Sequence, residues 1–295
     1  MRFPRCVSNS NDSPGARHAI LHAEERSRRG DEFSCCQQVA ITGRLLLEVE
    51  FDVARARDFL REAERMAAVL MHSFVELDWG RGLIARWDGD LVTAQAAIRR
   101  ALALARLRED RWREMKCLVW MAKIAIDGEL FDEACAVCDE IDAVAARIGD
   151  GPAPVADALR AIAQTLKGAG ERQPELQRTL AALWALDDKA QLAYVLNQIV
   201  AYRLELGHRQ GAFAAATEAL GAADAVKRAT EIDVARSLLA RRAAGSVDES
   251  EAAPSSPARP EGFDGDASMS ARARAWRDRS GAAHAIPTPV PTASS

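Results

Sequence analysis

Two cysteines, Cys135 and Cys138, form the motif in this 295-residue sequence that comes nearest to a chemical centre. A Cys-x-x-Cys pair can exchange disulfides where a helix N-terminus lowers a thiol pKa, or it can bind zinc with two further ligands. Here the pair lies inside a predicted helix with no strand before it, and Cys117 on a neighbouring helix is the nearest additional thiol. Because Cys138 occupies the same repeat position as Leu60 and Ile98, we interpret it as a core residue, with a metal or redox role as the alternative.

The other groups that could do chemistry are Asp88-Gly89-Asp90 and the pair His18 and His22. The two acids could bind a cation, and histidines four residues apart on a helix could chelate zinc, but neither group has an evident third ligand. The sequence contains no Gly-x-Ser-x-Gly motif and no Gly-Lys pair, so it lacks the P-loop that cradles phosphates. We therefore predict a protein that is not an enzyme and carries no cofactor.

Composition and charge exclude several other classes of function. The chain is 48% hydrophobic but only 5% aromatic, and its apolar residues are mostly Ala, Leu and Val, which favours closely packed helices. A net charge of −4 gives no basic face for nucleic acid. No stretch approaches the roughly 20 apolar residues of a membrane span, and the N-terminal residues lack the apolar core of a signal peptide. These features predict a cytoplasmic protein whose six cysteines are free thiols.

Three zones are distinguished by composition. Residues 1–13 are polar and are predicted to be disordered, whereas residues 14–244 carry an almost continuous helical pattern. Residues 245–295 are rich in Pro, Ser, Ala and acidic residues, and they contain too few apolar side chains to offset the entropy of folding. We therefore predict one helical domain followed by a disordered tail.

Helices with one apolar face recur along this domain. Aligning the first small residue of each such helix gives Ala56, Ala94, Ala134 and Ala212, at steps of 38, 40 and 78 residues, the last being twice 39. A fixed period near 39 built from helix pairs is typical of repeat proteins, and it predicts a further unit near residue 173. The partner helices that precede these are predicted at 31–49, 73–87, 109–127, 153–168 and 188–206.

Asp88-Gly89-Asp90 acquires a structural interpretation from this period. Asp90 stands where a helix N-cap is expected, and Gly89 allows a sharp turn before it. A turn recurs at Asp127-Gly128-Glu129 and at Gly207-His208 with the repeat period, while the pair of acids does not. We interpret the stretch as the joint between two helices of a unit. A last helix over 227–245 and another near 15–29 are predicted to cap the array.

The repeat resembles the tetratricopeptide repeat (TPR) family. Ala94, Ile98 and Ala101 match the small, large and small apolar positions that this family places along its second helix. Gly82 matches the glycine of the first helix, which is missing from the other units, and the proline that usually ends each unit is absent. The family's usual period is 34 residues, and a longer period is similar to repeats in bacterial regulators of the maltose-activator type.

The resemblance implies an all-α fold, a right-handed α-solenoid of antiparallel helix pairs with about five TPR-like repeats. It also implies a non-enzymatic scaffold that binds a protein or peptide partner of some acidic character in a concave groove lined by the first helices. The alternative is a sensor module, as a fragment, of a bacterial signalling or transcription-regulator ATPase. Extrapolating the family's groove positions selects Trp79, Leu83, Arg86, Trp87, Lys116, Val119, Lys123, Tyr194, Asn197 and Leu204.

Large aromatic side chains on these helices have a second interpretation, because they can also fill gaps between repeat units. For Trp79 the groove and the core are equally favoured, while Trp120 and Trp184 are predicted to fill gaps. Oligomeric state and partner identity do not follow from these patterns. No nucleic acid and no membrane is expected among the partners.

Overall fold

The computed structural model describes residues 31–50, 52–149, 153–169 and 173–226, together with parts of 231–239. In these residues it contains ten α-helices with described bounds, a further helical stretch within 231–239, and no strand. The helices are α1 Glu32–Leu45, α2 Val53–Leu70, α3 Val75–Trp87, α4 Leu91–Leu107, α5 Arg111–Asp127, α6 Phe131–Ile148, α7 Pro154–Gln164, α8 Gln173–Ala185, α9 Lys189–Glu205 and α10 Arg209–Ala225. Helices α1 and α7 continue into short π-helical turns, Leu46–Glu50 and Thr165–Ala169.

The helices pack as neighbouring pairs, which confirms the all-α prediction. Helix α1 packs on α2, α3 on α4, α5 on α6, α7 on α8 and α9 on α10. The odd-numbered helices, here called the first helices, also contact one another in sequence order: α1 with α3, α3 with α5, α5 with α7 and α7 with α9. One continuous core of apolar side chains runs through all of these pairs.

Aspartate side chains begin five of the ten helices. The predicted cap Asp90 accepts the backbone N–H of Thr93 at 2.9 Å, which satisfies one of the free donors at the start of α4. Asp31, Asp52, Asp110 and Asp188 cap α1, α2, α5 and α9 in the same way. Asp88 instead forms an ion pair with Arg57 at 2.5 Å. The interpretation of Asp88-Gly89-Asp90 as a joint is therefore confirmed for Asp90 and Gly89.

The turns after α3, α5 and α9 each contain one residue in the left-handed conformation. Gly89 and Gly207 adopt left-handed backbone conformations, with φ of +82° and +75°. Each lies immediately before the N-cap residue of the next helix. In the turn after α5 that position belongs to Glu129, whose φ is +61°, while Gly128 has φ −89°. The turn predicted at Asp127-Gly128-Glu129 is therefore present, and its left-handed residue is Glu129 rather than the glycine.

The repeated small residues are buried between the helices of each pair. Ala56, Ala94, Ala134 and Ala212 are all at most 1% exposed. The unit predicted near residue 173 is also present, since α8 begins there and buries Leu176, Leu180 and Leu183. The period near 39 thus marks one face of each second helix, as the sequence indicated.

Glycines of the first helices allow close approach of the second helices. A Cβ atom on Gly82 would lie 2.7 Å from two carbon atoms of Ile98. Gly43, 39 residues earlier on α1, stands in the same relation to Leu60, with a Cβ contact of 2.9 Å. The prediction that Gly82 alone fills this role was therefore wrong, because Gly43 meets the corresponding large residue of its own pair.

Other expectations fall outside the described residues or are only partly covered by them. The predicted disordered regions 1–13 and 245–295 and the helix near 15–29 lie outside. The helix predicted over 227–245 is described only at Glu231, Ile232, Val234–Arg236, Leu238 and Leu239, which are helical. Within the described part of the chain, no helix has both the length and the apolar character needed to cross a membrane.

Glu114 on α5 is a buried carboxylate held by three arginines from three successive helices. It accepts hydrogen bonds from Arg106 at 3.0 Å, Arg111 at 3.3 Å and Arg147 at 3.2 Å. Burial alone would raise the pKa of Glu114, but the hydrogen bonds and charges of these arginines outweigh it and lower the pKa. Because the pKa is lowered, the ionised carboxylate stabilises the folded state fully above pH 4.5, the ordinary pKa. This stabilisation is lost as the pH falls from 4.5 through the pKa of the folded protein.

We therefore expect Glu114→Gln to lower the free energy of unfolding by about 1.5–3 kcal/mol at pH 7, since it removes hydrogen bonds to charged groups. The difference from the unchanged protein should shrink as the pH falls below 4.5 and disappear below the lowered pKa of folded Glu114, where the carboxyl is protonated in both states. Urea denaturation at a series of pH values measures both effects. Glu62→Gln, which breaks the more exposed pair with Arg65, is the control and should cost less than about 1 kcal/mol. A Glu114→Gln deficit that stays constant down to pH 3 would contradict this role.

Candidate functional site

Most of the binding residues selected from the sequence are buried rather than displayed in an open groove. Trp79, Leu83 and Arg86 on α3 are 4–7% exposed. Lys123, Tyr194 and Asn197 are buried to a similar degree. Trp87 and Lys116 are partly exposed, and Leu204 packs against the core. The structure therefore divides these residues into a buried network and a smaller set that lines a cavity.

The buried network is centred on the carboxylate of Asp127 at the end of α5. Arg86 on α3 donates from Nε to Asp127 Oδ2 at 2.6 Å, while Tyr194 and Gln198 on α9 donate to Oδ1 at 3.1 and 3.0 Å. Burial and the charge of Asp127 hold the pKa of Tyr194 well above its ordinary value, so its hydroxyl stays protonated and donates. Three first helices are thus joined by one carboxylate.

Aromatic rings and an amide extend this network. The Lys123 ammonium lies 4.9 Å from the centre of the Trp120 ring and 4.4 Å from that of Tyr194, within the range of cation–π attraction. Asn197 donates from Nδ2 to the backbone oxygen of Glu231 at 3.1 Å and to its carboxylate at 3.0 Å. Arg86, Tyr194 and Asn197 were predicted to contact a partner. They instead bond to other first helices and to the segment at Glu231.

A cavity of about 260 Å³ remains on the same face, between α1, α3, α5 and α9. Four of the selected residues line it, namely Trp79, Lys116, Val119 and Lys123. Its other lining residues were not selected: Ile41, Arg44, Glu48, Glu76, Trp112, Arg113, Trp120 and Gln191. Trp112 is 60% exposed, so the cavity has an indole ring that solvent reaches. The structure thus brings four of the predicted residues together with eight that were not predicted. The predicted residues Leu83, Arg86 and Trp87 do not line the cavity.

Two acid–base pairs form part of the cavity wall. Arg113 donates to Glu76 Oε1 from Nε at 2.7 Å and from Nη2 at 2.6 Å. Arg44 pairs with Glu48, which also accepts the indole N–H of Trp120 at 3.1 Å. Lys116 stacks its ammonium on the Trp112 ring at 4.7 Å. The lining holds four basic side chains, Arg44, Arg113, Lys116 and Lys123, beside the two glutamates, and Arg113 also pairs with Asp110.

Buried polar atoms without a hydrogen-bond partner are concentrated at this cavity. Among the described residues six side-chain atoms are both buried and unpaired, and four of them belong to lining residues. Two are donors, Arg44 Nε and Trp79 Nε1, and two are acceptors, Glu76 Oε2 and Gln191 Oε1. Such atoms are uncommon in folded proteins because each one costs about 1–3 kcal/mol, so this cluster makes the cavity the candidate site.

Part of this site had a signal in the sequence. Arg113, Lys116, Trp120 and Lys123 recur at steps of three and four along α5, so they form one helical stripe of basic and aromatic residues. Only Lys116 and Lys123 were selected, since the family's groove positions guided the choice. Gln191 carries no comparable signal, because it reaches the cavity from a helix two pairs further along the chain.

The two tryptophans predicted to fill gaps behave differently. Trp120 is partly buried against the core and bonded to Glu48, in agreement with the prediction. Trp184 lies on α8 and is 44% exposed, with its indole N–H donating to Glu218 at 3.0 Å. Trp184 therefore does not fill a buried gap as predicted, and its exposed ring instead reaches α10, the second helix of the next pair.

The Cys-x-x-Cys pair lies within α6, and Cys138 is fully buried, which confirms its assignment to the core. Burial raises the pKa of Cys138 and of Cys117 to about 12, so both remain protonated at neutral pH. Burial also raises the pKa of the partly buried Cys135. No cluster of three or more Cys, His, Asp or Glu side chains suited to a metal occurs in the part of the chain that the structure describes.

In comparisons with known proteins, no family model matches the chain and no curated protein shows significant similarity to it. What the described residues define is a class of architecture: an all-helical protein of neighbouring helix pairs with a polar, tryptophan-lined cavity on its first helices.

Proposed function

We propose that this chain is a non-enzymatic scaffold that binds a peptide or protein partner on the face formed by its first helices. In this proposal the helix pairs are about five TPR-like repeats of a right-handed solenoid, and the protein acts in the cytoplasm. The observation that carries the proposal is the cavity between α1, α3, α5 and α9 with its four unpaired polar atoms.

The composition of the cavity supports protein recognition. Trp79, Trp112 and Trp120 line it together with Arg44 and Arg113, and Trp and Arg are enriched among the residues that dominate binding energy at interfaces. An α-helix measures about 10–12 Å across with its side chains, which exceeds what 260 Å³ can enclose. The partner therefore inserts a side chain or an extended segment, while the rest of it lies on the surrounding helices.

A regulatory sensor module is the second candidate. The cavity volume of about 260 Å³ comes close to the lower end of the usual 300–1,000 Å³ range of small-molecule pockets, so a small occupant is the case that supports this alternative. A sensor would bind a small molecule without a protein partner, whereas the scaffold requires a macromolecular partner at the same face. The two candidates are therefore separated by the identity of the bound species.

The test uses the full chain as bait for a displayed library of peptides and for purified candidate partners. Trp112→Ala combined with Lys116→Ala removes two partly exposed groups at the cavity, so the fold should be retained. We expect this variant to lose at least tenfold in affinity for whatever is selected. The matched control is Trp184→Ala combined with Lys189→Ala, which removes the same residue types away from the cavity. Equal binding by both variants would overturn the proposed site.

A further inference from the structure

The part of the cavity that solvent reaches is a row of side chains along α5. Trp112 is 60% exposed, and the partly exposed Lys116 holds its ammonium 4.7 Å from the centre of the Trp112 ring. Trp120 lies further along the same helix and is also partly exposed. Because an α-helix rises about 1.5 Å per residue, the two indole rings are attached roughly 12 Å apart along the helix axis. This row offers two flat apolar rings to an occupant.

Trp112 also offers a hydrogen-bond donor. Among the described residues none accepts a hydrogen bond from the Trp112 indole N–H, whereas Trp120 donates its own to Glu48 at 3.1 Å. A polyproline II segment is complementary to such a surface, since its backbone carbonyls make no internal hydrogen bonds and its proline rings are apolar. Surfaces lined by aromatic rings are a recurrent way of binding proline-rich segments. The row along α5 therefore suits an extended, proline-rich occupant.

This chain carries a segment of that kind outside the described residues. Residues 254–260 read Pro-Ser-Ser-Pro-Ala-Arg-Pro, so a proline recurs at every third position. A polyproline II helix has about three residues per turn and rises about 3.1 Å per residue, so the three rings would lie on one edge at intervals of roughly 9 Å. That interval is close enough to the separation of the two indoles for successive prolines to contact both. Proline also fixes φ near the polyproline II value, which lowers the entropy lost on binding.

The last described helical residues bring this segment within reach of the cavity. Asn197 on α9 bonds to Glu231, and Gln191, six positions earlier on the same helix, lines the cavity. Those six positions correspond to about 9 Å along α9. Pro254 lies 15 positions after Leu239, the last described residue. A chain of that length spans about 20 Å on average as a random coil and at most about 50 Å when extended, so the connection is long enough.

We propose that residues 254–260 of this chain bind as a polyproline II segment on the row formed by Trp112, Lys116 and Trp120. The proline rings pack on the two indoles, and a backbone carbonyl of the segment accepts the Trp112 N–H. The chain thereby occupies its own partner site. Only the last consequence rests on the proposed function, because the contact itself requires no partner.

Attachment to the same chain makes even a weak contact effective. A linked segment meets its site at an effective concentration on the order of 1 mM. A contact with a Kd of about 0.1 mM between separate molecules would then be about 90% formed within one chain. A partner that uses the same row must displace the segment, so its apparent affinity is reduced by about tenfold.

The test follows the indole N–H resonances of the full chain by NMR. Trp112→Phe identifies the Trp112 resonance. The resonance of Trp184 reports that the fold is retained, because this indole N–H bonds to Glu218 away from the cavity. The test variant replaces the three prolines at 254, 257 and 260 by alanine. The matched control replaces the three prolines at 287, 289 and 291, whose spacing of two places them on different edges of a polyproline II helix.

We expect the test variant to shift the Trp112 resonance and the control variant to leave it unchanged. A peptide with the sequence of residues 251–261, added to the test variant, should return the Trp112 resonance to its position in the unchanged chain. The same peptide should bind the unchanged chain about tenfold more weakly, because the row is already occupied there. A peptide of equal length from residues 284–294, which also contains three prolines, should bind neither protein.

Three results would overturn the inference. The first is a Trp112 resonance that does not move in the test variant. The second is an equal shift in the control variant, since proline spacing would then not matter. The third is a resonance position that depends on protein concentration, which would make the segment of a second copy the occupant. If any of these were found while Trp112→Ala with Lys116→Ala still abolished partner binding, the scaffold would stand and only the self-occupied site would fail.

Discussion

Replacing Asp127 by asparagine is expected to destabilise the fold by about 3–5 kcal/mol, the usual cost of breaking a buried ion pair from one side. Asparagine keeps the size of the side chain but removes the charge that faces Arg86, and both side chains are at most 7% exposed. Its amide group would also present N–H donors to the donors of Arg86, Tyr194 or Gln198. Urea denaturation followed by far-UV circular dichroism measures the loss.

The control is Asp88→Asn, which breaks the pair between Arg57 and Asp88 with side chains 34% and 38% exposed. We expect that change to cost less than about 1 kcal/mol, as for other surface pairs. The double replacement of Arg86 by methionine and Asp127 by leucine should be more stable than Asp127→Asn, because it removes the unpaired charge. If Asp127→Asn were as stable as Asp88→Asn, Arg86 would be free to act as a binding residue, as the repeat pattern alone predicted.

The stability of Asp127→Asn tests whether Arg86 belongs to a binding groove, as the sequence predicts, or to the buried network that the structure shows. The groove positions of the TPR family selected Arg86, Tyr194 and Asn197 because each falls on the inner stripe of a first helix. In the structure the Tyr194 hydroxyl bonds to Asp127 and to Lys123, which lie 67 and 71 positions earlier in the sequence. The stripe that carries Tyr194 therefore faces another first helix. Such a contact depends on the rotation between successive helix pairs, and a single repeat unit carries no visible signal for that rotation.

The helices themselves were predictable because their signals are local. The helix predicted at 109–127 is observed at Arg111–Asp127, and the one predicted at 188–206 is observed at Lys189–Glu205. Aspartate caps, left-handed turn residues and apolar columns with a period of three to four residues all act within one or two turns. The cavity depends on side chains from four helices, and Gln191 lies 115 positions after Glu76 in the sequence.

The glycine that allows α3 and α4 to approach gives the second large effect. Gly82→Ala should gain about 1 kcal/mol from helix propensity alone, yet we expect it to destabilise the protein by about 1–3 kcal/mol. The added Cβ would lie 2.7 Å from Cδ1 and from Cγ1 of Ile98, and 3.2 Å from the backbone oxygen of Ala94. Ile98 is fully buried, so it has no solvent into which to move.

Gly221→Ala on α10 is the matched control, because a Cβ there has no neighbour within 4 Å. The same substitution should stabilise the protein at that position by about 0.5–1 kcal/mol, so the two changes have opposite signs. Ile98→Val should cost about 0.5–1.5 kcal/mol in the unchanged chain but less in the Gly82→Ala background, where the shorter side chain makes room. Thermal and urea unfolding of the unchanged protein, Gly82→Ala, Ile98→Val and the double variant measure the cycle. Two glycine replacements of equal sign would show that helix propensity, and not the approach of α3 to α4, determines the residue at position 82.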